Sequence, residues 1–489
     1  MLSKDNSFMK RINLMKKRFV DGSIGTKISH LIFGAGNLYH KQYIKGLLFL
    51  LLQIAIIWFM VFCPEINDTP YGYKALLNLS LKNVSEGGGF DPMTGVFTHG
   101  SDCKLIVLFG FVTIAVLVIY FILWEKNISS SYKADKDLRV GKKPTNIKQD
   151  IAELFDSKFH ITMLTPTCIA ALVFTILPTV FMIALAFTSY NDFDMNAIGT
   201  NLFHWNGLQN FRSVFTGEGS LGVEIKNRFL PVLGWTLIWA IFATLTCYFG
   251  GIILALLINK KGLKGKKIFR TIFILTIAVP QFISLLAVRN LLGEYGPVNS
   301  LLMNLGITNH PIGFLGLHPN DSEKLAKVMV ILVNMWVGIP YTMLMTSGIL
   351  MNIPADLYEA ARVDGTSTFK MFTKITLPYV IFITTPYLIS SFVGNINSFN
   401  SIFLLTGGGP GYPGYQAGGT DLLVTWLYKV TVDQGMYNTG AVIGIFTFLI
   451  TATITLVTYR RSKAYNEEDT FQWVRKLEVN LKMKELLLV

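Results

Sequence analysis

Charge is what this 489-residue chain has least of: Asp, Glu, Lys and Arg make up 15% of it, against 51% hydrophobic residues. With a mean hydropathy of +0.46, that balance excludes an ordinary soluble domain, in which about 25% of residues are charged. The long apolar runs are almost free of ionisable residues, and Arg289 falls only at the edge of one. A proton-coupled carrier generally needs a buried carboxylate or His relay, and a voltage sensor needs rows of Arg; neither is present. The seven His residues have no metal-ligand spacing, and no nucleophile–base set stands out, which argues against an enzyme. A phosphate-binding loop is missing as well. Gly265-Lys266-Lys267 lacks the hydroxyl residue, and the Gly-rich stretch from Thr406 to Tyr415 lacks the Gly-Lys-[Ser/Thr] ending, so ATP hydrolysis by that route is excluded. Of the four cysteines, Cys168 and Cys247 fall in apolar runs and read as small core residues. Cys63 and Cys103 lie at the outer ends of the first two runs, where a disulfide and two free thiols are both open.

The apolar residues come in runs of membrane length. The expectation is an all-α membrane protein with eight transmembrane helices, near residues 44–62, 105–123, 161–187, 230–258, 268–288, 328–350, 379–405 and 440–459. Each is able to cross a hydrocarbon core of about 30 Å. No cleavable signal peptide is apparent, because the first long run starts near Ile44 behind a basic stretch and reads as an anchor. Most of the 43 Lys and Arg residues fall in the N-terminal segment, in alternate loops and in the C-terminal tail. That asymmetry predicts a multi-pass protein of the cell membrane with both termini cytoplasmic. The net charge of +13 then points to anionic membrane lipids. Nucleic acid is not an expected partner, because the basic runs Lys260-Lys261 and Lys266-Lys267 flank spans and lack interleaved aromatics.

Residues Tyr358 to Pro378 carry the most informative string. Glu359, Ala360, Ala361, Asp364 and Gly365 are followed by Ile375, Leu377 and Pro378, all between two apolar runs. Pro354 suits the first turn of a helix. Gly365 supplies a stop with φ > 0, Thr366 or Ser367 can cap the next helix, and Pro378 is expected to close the unit before the following span. A short polar helix with little bulk at Ala360 and Ala361, and with acceptors at Glu359 and Asp364, is suited to contact outside the membrane. The string resembles the EAA loop of binding-protein-dependent ABC importer permeases, which in that family docks on a cytoplasmic ATPase and transmits its motion. Trp205-Asn206-Gly207-Leu208 with Asn210-Phe211, and the outer Thr406-Gly407-Gly408-Gly409-Pro410 stretch, are similar to further strings of the same family.

The spans replace charge with neutral hydrogen-bonding groups. Asn334, Trp336, Gly338 and Tyr341 lie on the sixth, and Ser390, Ser391, Asn395, Asn397, Ser398 and Asn400 on the seventh. An unsatisfied amide in lipid costs several kcal/mol, so these groups either face a wet cavity or bond between helices. Asn and Ser beside aromatic rings suit a neutral, hydroxyl-rich solute. Residues 334–341 and 391–399 look like the segments that line the sugar site of the larger permease in maltose/maltodextrin importers. The resemblance implies Asn334, Val337, Gly338, Tyr341, Ser391, Gly394, Asn395 and Ser398 as substrate-binding positions. Gly394 stands where an aromatic platform would be and Ser398 where an Asn would be, which puts maltose itself in doubt.

These readings divide the chain into a basic cytoplasmic N-terminal segment (1–43), two accessory spans with an outer loop and linker (44–160), a six-helix MetI-like permease core carrying the loop at 352–378 (161–459), and a cytoplasmic amphipathic tail (460–489). The implied function is sugar import by alternating access. The implied partners are a second homologous permease, two ATP-binding subunits and an extracellular solute-binding protein. No cofactor is expected in this chain, since ATP and Mg would belong to the ATPase. Importers of another neutral solute, or a secondary sugar transporter, are the alternatives.

Overall fold

In a computed structural model, residues 5–62, 71–81, 89–90, 97–98, 102–190, 203–260 and 262–461 are described. Cys63, and with it any Cys63–Cys103 bridge, the glycines at 87 and 88, and the amphipathic stretch 471–489 lie outside them. The fold is helical, apart from a two-residue pairing of Gly89–Phe90 with Phe97–Thr98 and an isolated bridge between Thr188 and Trp205. Among the described residues, seven helices are long and apolar enough to cross a membrane, and a bent pair makes an eighth when counted as one span. Two compact units divide the chain, Met1–Leu208 and Gln209–Val489.

The first unit contains short N-terminal helices and three spans, Tyr43–Val61, Cys103–Arg139 and Phe159–Leu185. The second span runs well beyond its apolar part because no Gly or Pro interrupts it after Gly110. It stops only where Gly141 takes a positive φ of 75°. Part of the linker expected between the second and third spans is therefore helix. Asn146 caps the next helix, Ile147–Phe155, through a reciprocal pair with Gln149.

In the third span a π-helical turn, Leu172–Ile176, directly precedes Leu177-Pro178. The seventh span repeats the device: the π turn Phe372–Thr376 precedes Leu377-Pro378. A proline inside a helix has no N–H to donate and crowds the carbonyl four residues back. One widened turn makes room for the ring without breaking the helix. For this reason Pro378 does not close the preceding loop, as its sequence position suggests; the seventh span begins at Thr368 and runs through it to Ile396.

The second unit is organised around the fourth span, Gly222–Asn259, and the sixth, Glu323–Met351. Gly250 and Gly251 let the two approach closely, since a Cβ on Gly251 would stand 2.5 Å from the Thr342 Cβ. The fifth span breaks in the middle. Lys266–Ala278 and Gln281–Leu291 meet at 94°, because Pro280 removes a donor and Val279 before it adopts an extended conformation. The eighth span is Tyr437–Arg460.

The loop after the seventh span is held by buried charges. Asp421 is fully buried; it accepts from Gly418 N at 2.7 Å and Thr425 Oγ1 at 2.8 Å, and pairs with Lys429 Nζ at 2.6 Å. Glu224 accepts from Gln416 N, Ala417 N and Trp426 Nε1 at 2.8–3.1 Å. The Arg228 guanidinium lies 3.9 Å from the Tyr412 ring centre, and Tyr412 donates to Glu323. Burial, and then that carboxylate, push the Tyr412 phenol above its ordinary pKa. This stretch is rich in turns, with positive φ at Gly407, Gly408 and Gly414.

Candidate functional site

A cavity of about 350 Å³ opens within the second unit, between the fourth, fifth, sixth and seventh spans. That volume lies within the range of about 300–1,000 Å³ usual for small-molecule sites. Of the eight positions expected from sequence, six line it: Asn334, Val337, Gly338, Tyr341, Ser391 and Asn395. Helical spacing explains the grouping. Val337 and Gly338 lie three and four residues after Asn334, Tyr341 lies four and three after those two, and Asn395 lies four after Ser391, so each set occupies one face of its helix.

The polar groups of the lining are anchored but not exhausted. The Asn395 amide donates to Thr244 Oγ1 at 2.9 Å, while its main-chain oxygen accepts from Trp239 Nε1 at 3.1 Å. Asn334 Nδ2 donates to Cys247 Sγ at 3.4 Å, a weak acceptor, and the thiol lies 3.6 Å from the Asn334 carbonyl. Among the described residues neither side-chain oxygen has a partner, nor does the Ser391 hydroxyl. Gly338 makes the fit possible, because a Cβ there would meet Cys247 Sγ at 2.6 Å. Tyr341 and Tyr387 lie with ring centres 6.0 Å apart at 30°, forming an aromatic wall.

Gly394 and Ser398 are not in the lining. Gly394 is exposed, and a Cβ built on it would meet nothing within 4 Å. Ser398 lies past the end of the seventh span, immediately before the helix Phe399–Phe403, and donates to Ser401 Oγ at 2.9 Å. Trp336 also points outward, at 51% exposure.

Sequence reasoning missed the contribution of the fifth span. Thr276, Ile277, Val279, Pro280 and Gln281 at its break all line the cavity, with Ala243 and Cys247 from the fourth and Tyr387 from the seventh. The visible signal was Pro280 inside an apolar run, followed at once by Gln281. Gln281 Nε2 reaches Ser401 Oγ at 3.5 Å, and a broken span leaves backbone groups free to face a wet cavity.

The loop between the sixth and seventh spans has the conformation its residues call for. Pro354 sits one place earlier than expected, as the residue flanking the helix Ala355–Val363. That helix ends in a Schellman arrangement: Thr366 N donates to Ala361 O at 2.9 Å and Gly365 N to Arg362 O at 3.0 Å. Gly365 takes φ +67°, with open space around its Cα. Ser367 caps the next turn by accepting from Lys370 N at 3.4 Å. Glu359, Ala360, Asp364, Gly365 and Pro378 are exposed, while Ala361 and Leu377 are half-buried. Val363 and Phe369 stand out at 88% and 76% exposure. Tyr358 OH bonds to Thr376 Oγ1 at 2.8 Å, which ties the short helix to the seventh span.

The family described as "Binding-protein-dependent transport system inner membrane component" matches residues 247–464. The chain is 32% identical, over 90% of its length and 97% of the relative's, to the galactooligosaccharides transport system permease protein GanP of Bacillus subtilis. It is 37% identical to the maltose/maltodextrin transport system permease protein MalF of Salmonella typhimurium, over 53% of this chain and 49% of that one. A chain in the crystal structure of a bacterial ABC transporter involved in the import of the acidic polysaccharide alginate aligns with a TM-score of 0.49 at 23% identity, covering 65% of this chain and 99% of that chain.

Proposed function

The chain belongs to the family of binding-protein-dependent transport system inner membrane components, and from that premise we propose that it is one of two permeases in an ATP-driven importer of a neutral oligosaccharide. The observation that carries the substrate class is the cavity lining. Its polar groups are uncharged, each has hydrogen-bonding capacity to spare, and aromatic rings stand beside them. A sugar hydroxyl can both donate and accept, so Asn334, Ser391 and Asn395 can each serve it, at about 0.5–1.5 kcal/mol net per bond. Galactooligosaccharide and maltodextrin transport by the relatives supports the same class. An acidic substrate would call for Arg or Lys, and the lining offers neither.

The mechanism is alternating access driven from the loop. The sixth span carries Asn334 to Tyr341 and runs unbroken to Met351; the seventh starts at Thr368 and carries Ser391 and Asn395. The Ala355–Val363 helix thus links the two helices that hold the cavity. Two separate ATP-binding subunits, using ATP and Mg, grip its exposed face at Glu359, Ala360 and Asp364. Their closure is passed on through the Tyr358–Thr376 bond and the helical shafts. A second homologous permease covers the exposed Gly394, Asn397 and Asn400, which would otherwise face lipid. An extracellular solute-binding protein delivers the sugar, and both termini are cytoplasmic.

Uptake by membrane vesicles containing the assembly tests this reading. Accumulation of a neutral oligosaccharide should require ATP and persist when proton and sodium gradients are collapsed. Uptake that follows an ion gradient and ignores ATP would assign the chain to the secondary carriers.

A further inference from the structure

The segment before the first span is built inside out. Buried in it are Gly25, Thr26, Ser29, Gly34, Gly36, Asn37 and His40, while Leu31 is 81% exposed, Ile24 69%, Ile32 50% and Ile28 44%. Ile24 and Ile28 lie one turn apart on the helix Ile24–Ile28, and Leu31 and Ile32 follow in the turn after it, which makes an exposed apolar stripe. A solvated arm would expose the polar set instead.

The buried polar set is stitched to the second span. Thr26 Oγ1 meets Ser131 Oγ at 3.0 Å, and Ser23 N donates to Asp135 Oδ2 at 2.9 Å. Asn127 accepts from Gly34 N and donates to Ser29 O, both at 2.8 Å. Gly36 permits the contact, because a Cβ there would lie 1.8 Å from Ser131 Oγ.

One marker of its level is Gln53, ten residues into the first span. Its carboxamide accepts from Phe33 N at 2.8 Å and donates to Leu31 O at 2.9 Å. At 1.5 Å per residue, Gln53 lies about 15 Å along that helix from Tyr43, so the tip of the segment reaches beside the apolar part of the span. The Phe33 ring stacks on Tyr120 with centres 5.0 Å apart. Trp124, a residue type favoured at membrane interfaces, donates to His30 O at 2.8 Å. Non-helical backbone at membrane depth is tolerated only where its polar groups are satisfied, and here Gln53, Asn127 and Trp124 satisfy them.

We propose that residues 23–42 form a re-entrant wedge embedded in one leaflet, with Ile24, Ile28, Leu31 and Ile32 against acyl chains and the surrounding basic residues against anionic phospholipid headgroups. Two observations select lipid over a protein partner. The apolar set is followed in the chain by exposed Tyr39 and then by exposed Tyr43, Ile44, Leu47 and Leu48 of the first span. The adjoining exposed charges are basic, at Lys16, Lys17, Lys27 and Lys41, with Asp21 the single exposed acid among described residues 13–42, which complements anionic headgroups. Long Lys side chains can also reach the interface from a submerged backbone.

Spin labels decide the matter in the full-length protein, reconstituted with the subunits that copurify and with its natural cysteines replaced. Labels at Ile28→Cys and Leu31→Cys are placed in phosphatidylcholine vesicles with and without phosphatidylglycerol, and Leu48→Cys and Lys17→Cys serve as lipid and surface references. The wedge predicts that both labels collide with oxygen several-fold more than with a water-soluble nickel chelate, as Leu48→Cys does. It also predicts that omitting phosphatidylglycerol makes the Lys17→Cys label more mobile and more open to the chelate. Chelate access at 28 and 31 equal to a solvated site overturns the wedge. Exclusion of both reagents means a protein covers the stripe and overturns the lipid contact. A Lys17→Cys label indifferent to phosphatidylglycerol overturns the headgroup contact. None of these readouts depends on sugar transport.

Discussion

Two polar regions of the Gln209–Val489 unit have opposite design. Around the loop after the seventh span the charged groups are buried and engaged: Asp421 in the loop has three partners, and Glu224 of the fourth-span helix another three. In the cavity they are neutral and partly engaged, with Asn334 and Asn395 each using one side-chain donor among the described residues. A buried charge is tolerated only when every partner is in place, and removing one partner typically costs about 3–5 kcal/mol. Half-used amides facing a cavity cost little while wet and are ready to exchange water for a ligand. Saturated polar groups hold the fold, and unsaturated ones at the cavity wall are those proposed to bind.

The largest effect should come from the saturated side. Asp421→Ala leaves the Lys429 ammonium and the Gly418 N–H without their acceptor, and should lower stability by about 3–5 kcal/mol. Thermal unfolding of the purified protein would report this, together with a sharp fall in folded protein in the membrane. A variant as stable as the parent would break the contrast.

The loop comes next. Gly365→Val must place a branched side chain at φ +67°, at a cost of roughly 1–2 kcal/mol. Because the surrounding space is open, membrane insertion should be retained while uptake falls at least about tenfold, a loss of about 1.4 kcal/mol in coupling. Near-normal uptake at equal protein level would detach this loop from transport.

On the unsaturated side, Asn395→Leu should cut sugar-dependent transport by roughly tenfold, the equivalent of one or two hydrogen bonds, with basal ATP hydrolysis intact. Unfolding at the temperature expected of a destroyed core, together with lost basal activity, would move Asn395 to the structural class. Ser391→Ala should be the mildest, reducing uptake by about three- to fivefold with no change in melting temperature. A melting point lowered as far as by Asp421→Ala would erase the distinction between the regions.

Much of this was legible in the sequence, for identifiable reasons. Span positions follow from apolar runs, and the loop's ends follow from the chemistry of Gly365 and Ser367, whose roles depend on single residues rather than on long-range packing. The shared face of Asn334, Val337, Gly338 and Tyr341 follows from helix periodicity. The break in the fifth span was harder to read, because Pro280 sits in a run whose hydropathy averages over the bend. Pro378 misled for a related reason: a π turn upstream absorbs its ring, and no residue type announces a π turn. Gly394 shares the seventh helix with the cavity residues yet is exposed away from the lining, and Ser398 lies past the end of that helix. The wedge before the first span was invisible to hydropathy, because Gly, Ser and Asn dilute its apolar stripe.

Thiol protection at the cavity tests the central claim most directly. A Ser391→Cys variant, with the natural cysteines replaced, can be modified by a small water-soluble thiol reagent in the purified assembly, with and without saturating oligosaccharide. The account predicts that the sugar slows modification at least about tenfold while leaving a cysteine placed in the loop after the seventh span unaffected. An unchanged rate at Ser391→Cys, in an assembly whose ATP hydrolysis still responds to the sugar, would contradict it.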